Sequence, residues 1–494
     1  MEAHNQGAAM ADDLDFESKW LNPVDETTRK DSIQSRDVHL TDSTEQISVA
    51  VIGAGVSGLS AIKHLLTKPG KFKPTAFERN SRIGGTWVYS ENTVDAFGLP
   101  EHSCLYKNLM AVKSAQVHQV IWGNLTGQLT IVRSNNPKQL LTLQGFPHDQ
   151  KGRSYIDHKA VLKYLEDFSK HNGLTEFIQF NTLVKYVLPV NHKDGEVTWN
   201  VKYCSLQNPD KINTQEFDAV LVCNGHYYKH SIPDIPGMEH FTGTVTHSRD
   251  YRLPGPYLGK TVLIIGASFS GLDIAADMTN HAKQIFLSHR DSALKTAIPP
   301  NAMERPVVKN ITENGNVVFV DGTEAEVDSI VFCTGYVYDF PFLSTDIVQV
   351  NNQRVTPLFK HMININYTNL MFIGIPYRMS YFPQIHEQAR AAVAILENPS
   401  VLPSVEDMIK DSDEDFRQKR EKYNLTEKQA HFLGIGDLQW RYNEELASLC
   451  GFQKLPTVFH GLAIDVAQQR TTNFLNFRKR NYRINSSSFE IVDN

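Results

Sequence analysis

Two glycine-rich turns, each between a β-branched strand-like run and a helical pattern, constrain this chain more than any other feature. Ile47-Ser48-Val49-Ala50-Val51-Ile52 leads into Gly53-Ala54-Gly55-Val56-Ser57-Gly58. A helical pattern follows from Val56 to Leu66, and a second strand is expected near Phe72 to Phe77. Two hundred residues later the arrangement returns. Thr261 to Ile265 reads as a buried strand, Gly266-Ala267-Ser268-Phe269-Ser270-Gly271 as the turn, Leu272 to Asn280 as a helix and Gln284 to Ser288 as the next strand. Two βαβ units in one chain predict an α/β fold with two Rossmann-like dinucleotide-binding domains.

The first turn fits G-x-G-x-x-G. Gly53 makes the tight bend, Gly55 lets backbone approach a pyrophosphate, and Gly58 lets helix pack on strand, with phosphates held at the helix N-terminus. Glu78 follows Gly58 by twenty residues, at the end of the second strand. A carboxylate there accepts from a ribose 2′-hydroxyl and repels a 2′-phosphate, which suits FAD or NAD; read without the turn, it is an exposed strand-end charge. Arg82-Ile83-Gly84-Gly85-Thr86-Trp87 then sets two glycines and an aromatic just beyond the acid. That pattern is expected along an extended FAD, with Arg82, Gly85, Thr86 and Trp87 near the cofactor, although Trp87 fits a core position equally well.

The second turn has Ser268 in the place of the middle glycine, small enough for close approach and able to donate to phosphate, with Ser270 and Gly271 completing it. Nineteen residues past Gly271 stands Arg290, a cation where the first unit has an acid. The preference reverses toward a 2′-phosphate, so one unit reads as the FAD site and the other as the NADPH site.

Between and after the units, Asp218 to Gly225 and Ser329 to Tyr336 are strand-like runs ending at glycine, expected to return the chain to the first sheet. The expected division is a loosely ordered leader over 1–45, an FAD-binding domain over 46–225, an inserted NADPH-binding domain over 226–328, a return of the FAD domain over 329–450 and a C-terminal extension over 451–494. Ser404 to Lys422 reads as a charged amphipathic surface helix, and Arg478-Lys479-Arg480 as a solvated basic face.

Composition narrows the function classes. The formal net charge of -6 over 494 residues offers no basic field for nucleic acid. Five cysteines lie scattered without C-x-x-C spacing, so neither a zinc ribbon nor a dithiol redox pair is supported, and no metal site is expected. No stretch of 18 uninterrupted apolar residues occurs, so membrane association is not indicated and a cytoplasmic protein is expected, with peripheral membrane attachment left open.

Between the two turns, Phe241-Thr242-Gly243-Thr244-Val245-Thr246-His247-Ser248-Arg249-Asp250-Tyr251 fits F-x-G-x-x-x-H-x-x-x-Y. This resembles the fingerprint of the flavin-containing monooxygenases, carried here by Phe241, Gly243, His247 and Tyr251. In the related Baeyer–Villiger enzymes a tryptophan more often fills the last place. Phe332-Cys333-Thr334-Gly335-Tyr336 is similar to the family's F-A-T-G-Y segment, and Phe382 to Arg390, with Gln388, to its late F-P-x-x-E-x-Q-A-R segment. Together these cover roughly residues 47 to 400. The resemblance implies an N,N-dimethylaniline monooxygenase-like enzyme. NADPH would reduce FAD, and a C4a-hydroperoxyflavin would oxygenate a soft nucleophile, giving an amine N-oxide or a sulfide S-oxide. Molecular oxygen and a small amine or sulfide are then the partners, and a homodimer stays open. The alternatives are a Baeyer–Villiger or N-hydroxylating monooxygenase, or a catalytically impaired homologue.

The last alternative comes from a departure. The family pattern Y-K-x-L-x-T-N-x-P-K begins at Tyr106-Lys107-Asn108-Leu109-Met110 and resumes only at Ser134-Asn135-Asn136-Pro137-Lys138. The intervening segment, Ala111 to Arg133, is either a splicing or gene-model remnant or a genuine loop. The resemblance assigns Asn135 the catalytic hydrogen bond beside the flavin; otherwise it is a turn residue before proline.

Overall fold

The computed structural model describes residues 46–95, 98–99, 105, 133–193, 195–291 and 293–492. The leader, Tyr106 to Met110 and the segment 111–132 lie outside them. Of the segment expected to be extra, only Arg133 is described; it forms an isolated bridge to Asp157.

The first unit follows its expected order. β1 (Ile47–Ile52) enters the first turn, α1 (Val56–Leu65) leaves it, and β2 (Phe72–Phe77) pairs parallel with β1. Helix α2 (His158–His171) is capped by Asp157, whose side chain accepts from the Ala160 amide. β3 (Ala219–Val222) lies parallel on the other side of β1. The seven-stranded sheet is completed by 178–179 beyond β2 and by strands at 370–372, 363–364 and 358–359 beyond β3. β1 alternates strictly: Val49 and Val51 enter one core, under α1, while Ala50 and Ile52 enter another on the opposite face, with Trp199, Phe217 and Val220. A strand buried on both faces is what its continuous apolar run demands.

The second sheet has five parallel strands. β4 (Thr244–His247), β5 (Thr261–Ile265), β6 (Gln284–Ser288), β7 (Ala302–Arg305) and β8 (Ser329–Phe332) stand in the order β7-β6-β5-β8-β4. Helix α3 (Phe269–Met278) follows the second turn. This overturns one expectation. Ser329–Phe332 does not return to the first sheet: it pairs with β5, Val262 opposite Ser329 and Ile265 opposite Phe332, and on its other edge with β4. The second sheet therefore runs past residue 328, where a domain boundary was expected. The reason is symmetry: β5 needs a neighbour on each side, and β8 gives it what β3 gives β1. A fully buried run of four residues carries no mark of which sheet it joins.

After the second unit the chain forms α4 (Tyr381–Glu397), α5 (Val405–Tyr423), α6 (Leu438–Cys450) and α7 (Thr457–Thr472). Helix α5 is the expected charged surface helix, N-capped by Ser404, with only Met408 and Lys419 buried. The C-terminal residues are no mere appendage. Val458, Phe459, Leu462 and Val466 of α7, with Phe477 and Tyr482, share a core with Val262, Ile264 and Leu287 of the second sheet. Nor is 478–480 a solvated face throughout: Lys479 is exposed, but Arg478 is buried. Among the described residues no helix is long and apolar enough to cross a membrane.

Candidate functional site

Both turns are built by the same steric demands. A Cβ on Gly53 would meet the Cys223 carbonyl oxygen, just past β3, at 2.6 Å; one on Gly266 would meet the Cys333 carbonyl oxygen, just past β8, at 2.5 Å. Their φ values are 103° and 105°, left-handed territory that favours glycine. The last glycine of each turn has a tighter reason. A Cβ on Gly58 would lie 1.9 Å from the Gly53 carbonyl oxygen, and one on Gly271 would lie 1.9 Å from that of Gly266. Each helix N-terminus is thus clamped onto its strand, leaving first-turn amides of the kind that bind a pyrophosphate.

Glu78 is buried at the end of β2. Its Oε2 accepts from the Ala54 amide at 2.7 Å and its Oε1 from the Asn80 amide at 2.8 Å. Burial pushes its carboxyl above the usual range, opposed by those amides. The carboxylate thus closes the first turn from below, leaving its remaining lone pairs for a ribose. Gly85 backs onto this turn, since a Cβ on it would lie 3.0 Å from the Cα of Gly55. Gly84, with φ of 120°, is packed under Leu162, so this glycine pair serves close packing inside the protein. Thr86 and Trp87 form the short helical turn that follows, Trp87 half-buried against the first core. Arg82 pairs with Glu166 of α2 at the surface.

At the second turn Ser268 stands at the N-cap of α3, its Oγ accepting from Arg378, and Ser270 lies half-buried in the first turn of the helix. Arg290 is exposed beyond β6. The residue holding Glu78's backbone place is His289: its amide donates to Arg305 of the neighbouring strand, as the Glu78 amide donates to Gln179. Arg290 therefore stands one residue further out, able to reach a phosphate attached outside the ribose.

The fingerprint residues fasten the second unit. Phe241 and Gly243 pack together against the chain entering β8; a Cβ on Gly243 would lie 2.5 Å from the Asp328 carbonyl oxygen. His247 ends β4, where its Nε2 donates to the Gly335 carbonyl oxygen at 3.1 Å and its Nδ1 accepts from the Arg249 amide at 3.1 Å. Those two bonds set the tautomer, and burial holds the ring neutral, its pKa lowered to about 4. Tyr251 donates to Asp277 of α3 at 2.7 Å. Thr334 donates to the Ser231 carbonyl, and the Tyr336 ring meets His247 and Tyr227 edge-on. Gln388 is fully buried. Its Oε1 accepts from the Gly374 amide and its Nε2 donates to Tyr442, so it holds the loop that faces Ser57 of α1.

Sequence reasoning missed three arginines around α3. Arg378 and Arg470 lie over the Phe269 ring, 4.5 and 5.1 Å from its centroid, and Arg478 pairs with Asp273. Arg478 also donates to the Oδ1 of Asn135. These side chains come from two distant segments, Arg378 from one and Arg470 with Arg478 from the other, and no local spacing announces them. Their positive field suits an anionic dinucleotide.

The flavin-binding monooxygenase-like family model matches residues 46–118, 126–298 and 294–460, most of the chain. This chain belongs to that family. The matches leave out 119–125, which fall inside the segment expected to be extra. Among curated relatives, flavin-containing monooxygenase FMO GS-OX5 of Arabidopsis thaliana is 33% identical over 429 residues, 81% of this chain and 87% of the relative. Among solved structures, S-allyl-L-cysteine S-oxygenase from Allium sativum is 30% identical with a TM-score of 0.75, covering 89% of this chain and 96% of that one. Tmm from Pelagibacter sp. has a TM-score of 0.74 at 23% identity, covering 90% and 96%, a likeness of fold. The protein is a monooxygenase that uses FAD, NADPH and oxygen on a small molecule, and its two close-packed glycine-rich turns are of the kind that cradles such dinucleotides.

Proposed function

We propose that this flavin-binding monooxygenase-like enzyme oxygenates a small sulfide to its S-oxide, with secondary and tertiary amines as further substrates. The observation that carries the sulfide reading is the 30% identity, across nearly the whole chain, to an S-allyl-L-cysteine S-oxygenase. The first turn with Glu78 holds FAD; the second, with Ser268, Ser270 and Arg290, holds NADPH. When bound, NADPH supplies the hydride and FAD the oxygen activation. The protein's part is to keep water out and to hold a fixed donor beside the reacting oxygen. We assign that donor to the Asn135 carboxamide, at the interface between the first unit's loop and α3. The buried free thiols Cys204, Cys223 and Cys333 favour a reducing compartment, which supports the cytosol.

The purified protein should be yellow, bleach when NADPH is added without oxygen, and convert methyl p-tolyl sulfide to the sulfoxide. Colourless protein that cannot be reconstituted with FAD would defeat the cofactor assignment, and ester formation from ketones with no sulfoxide would overturn the substrate assignment. Asn135→Ala should keep FAD bound while a larger share of the NADPH consumed ends as hydrogen peroxide. A share equal to the parent's removes Asn135 from its role.

A further inference from the structure

We infer that Arg478 is the positioning residue that orients the Asn135 carboxamide, and so sets how well NADPH consumption is coupled to oxygenation. The inference rests on the role given to Asn135 above.

Arg478 is 8% exposed and its guanidinium is committed on every edge. Nε donates to the Ser134 carbonyl oxygen at 3.3 Å. Nη1 and Nη2 fork onto Asp273 Oδ1 and Oδ2 at 2.9 and 3.0 Å, and Nη2 also donates to Asn135 Oδ1. The Phe477 ring lies 4.4 Å from the guanidinium carbon. The planar fork is held by a buried carboxylate and an aromatic face before it meets Asn135.

A guanidinium has donors and no acceptor, so it can face only the oxygen end of a carboxamide. Arg478 therefore determines which way Asn135 is turned. Oδ1 is consumed, and Nδ2 with its two hydrogens points away from the fork. Among the described residues none accepts from Nδ2, which leaves it available as the donor the reaction needs. Without Arg478 the amide is free to flip and offer an acceptor to the developing negative oxygen. Asp273 lies one turn along α3 from the second glycine-rich turn, so the orientation of Asn135 is tied to the helix that carries the NADPH phosphates.

Lysine in this place keeps a cation for Asp273 but cannot serve Asp273, Ser134 and Asn135 from one plane. The test measures hydrogen peroxide released per sulfoxide formed, with methyl p-tolyl sulfide as probe, in the FAD-loaded full-length protein. This ratio is insensitive to the fraction of enzyme folded, and the Asn135→Ala background separates an effect passing through the amide from a general loosening that admits water. Arg478→Lys is expected to raise it several-fold, as is Asn135→Asp, which keeps an acceptor for Arg478 and loses the donor. In an Asn135→Ala background Arg478→Lys should add nothing, because its effect passes through the amide. An equal rise on both backgrounds, or an Arg478→Lys ratio at the parent's value, overturns the inference while leaving the role of Asn135 intact. An Asn135→Ala ratio at the parent's value removes both. If Arg478→Lys does not fold, Asp273→Asn takes its place, with a smaller rise expected on the parent and none on Asn135→Ala.

Discussion

Glu78 and Arg290 follow equivalent strands of two equivalent units and carry opposite charges. The acid is buried and bonded to two amides, a placement that suits the proposed contact with a ribose hydroxyl. The arginine is exposed, one residue further out, where the proposed 2′-phosphate contact places it. Arg290→Ala should raise the KM for NADPH and shift preference toward NADH by ~1–3 kcal/mol, the worth of a charge-assisted pair. Steady-state kinetics with both nucleotides checks this, and an unchanged preference would assign the 2′-phosphate to another residue, Arg378 or Arg470 being the candidates in reach of the turn.

At the scale of the element, α4 is a helix of seventeen residues with a polar stripe turned into the core. Glu387 is fully buried, its Oε1 accepting from Arg390 at 3.1 Å, and burial pushes its carboxyl up to about 7 with Arg390 opposing. The folded state thus keeps this proton where the unfolded chain, titrating near 4.5, has lost it. Folded protein binds more protons between about 4.5 and 7, so Glu387 stabilises the fold below that window and progressively ceases to as pH rises through it. The neighbouring His64 and His386, held neutral by burial, run the opposite way on the acid side. The readable quantity is therefore a difference. The unfolding free energy of Glu387→Gln minus that of the parent should grow from pH 5 to above 7 and then level off, with a span on the order of 3 kcal/mol. A difference independent of pH would mean that Glu387 stays ionised in the fold.

For the whole molecule, the second sheet lacks a complete core without the end of the chain. Phe459 is 0% exposed and packs with Leu462 and Val466 of α7 against strands two hundred residues earlier. Phe459→Ala should cost about 3–5 kcal/mol, the range for emptying a buried aromatic site. Because the damage falls on the second unit, NADPH affinity should weaken before FAD is lost. A denaturation series with FAD and NADPH binding followed together checks the order, and a cost below about 1 kcal/mol would place α7 outside the core.

The division between what was legible and what was not follows the range of the forces. Each glycine-rich turn is determined within six residues, by whether a Cβ on Gly58 or Gly271 can coexist with a carbonyl one turn earlier. Continuous β-branched apolar runs likewise announce β1 and β5, because a strand buried on both faces has few other compositions. The sheet that receives Ser329–Phe332 was not announced, since four buried β-formers fit either edge and only the vacancy beside β5 decides. Arg478 was misread for a similar reason. Arg-Lys-Arg looks alike on a solvated face and on a segment that buries one residue in three, and its partner Asn135 is 343 positions away. The sequence by itself determined the two nucleotide cradles, because local sterics and charge write them into consecutive residues. Only the tertiary structure decided how the cradles are joined and which way Asn135 faces, because those depend on side chains brought together by packing alone.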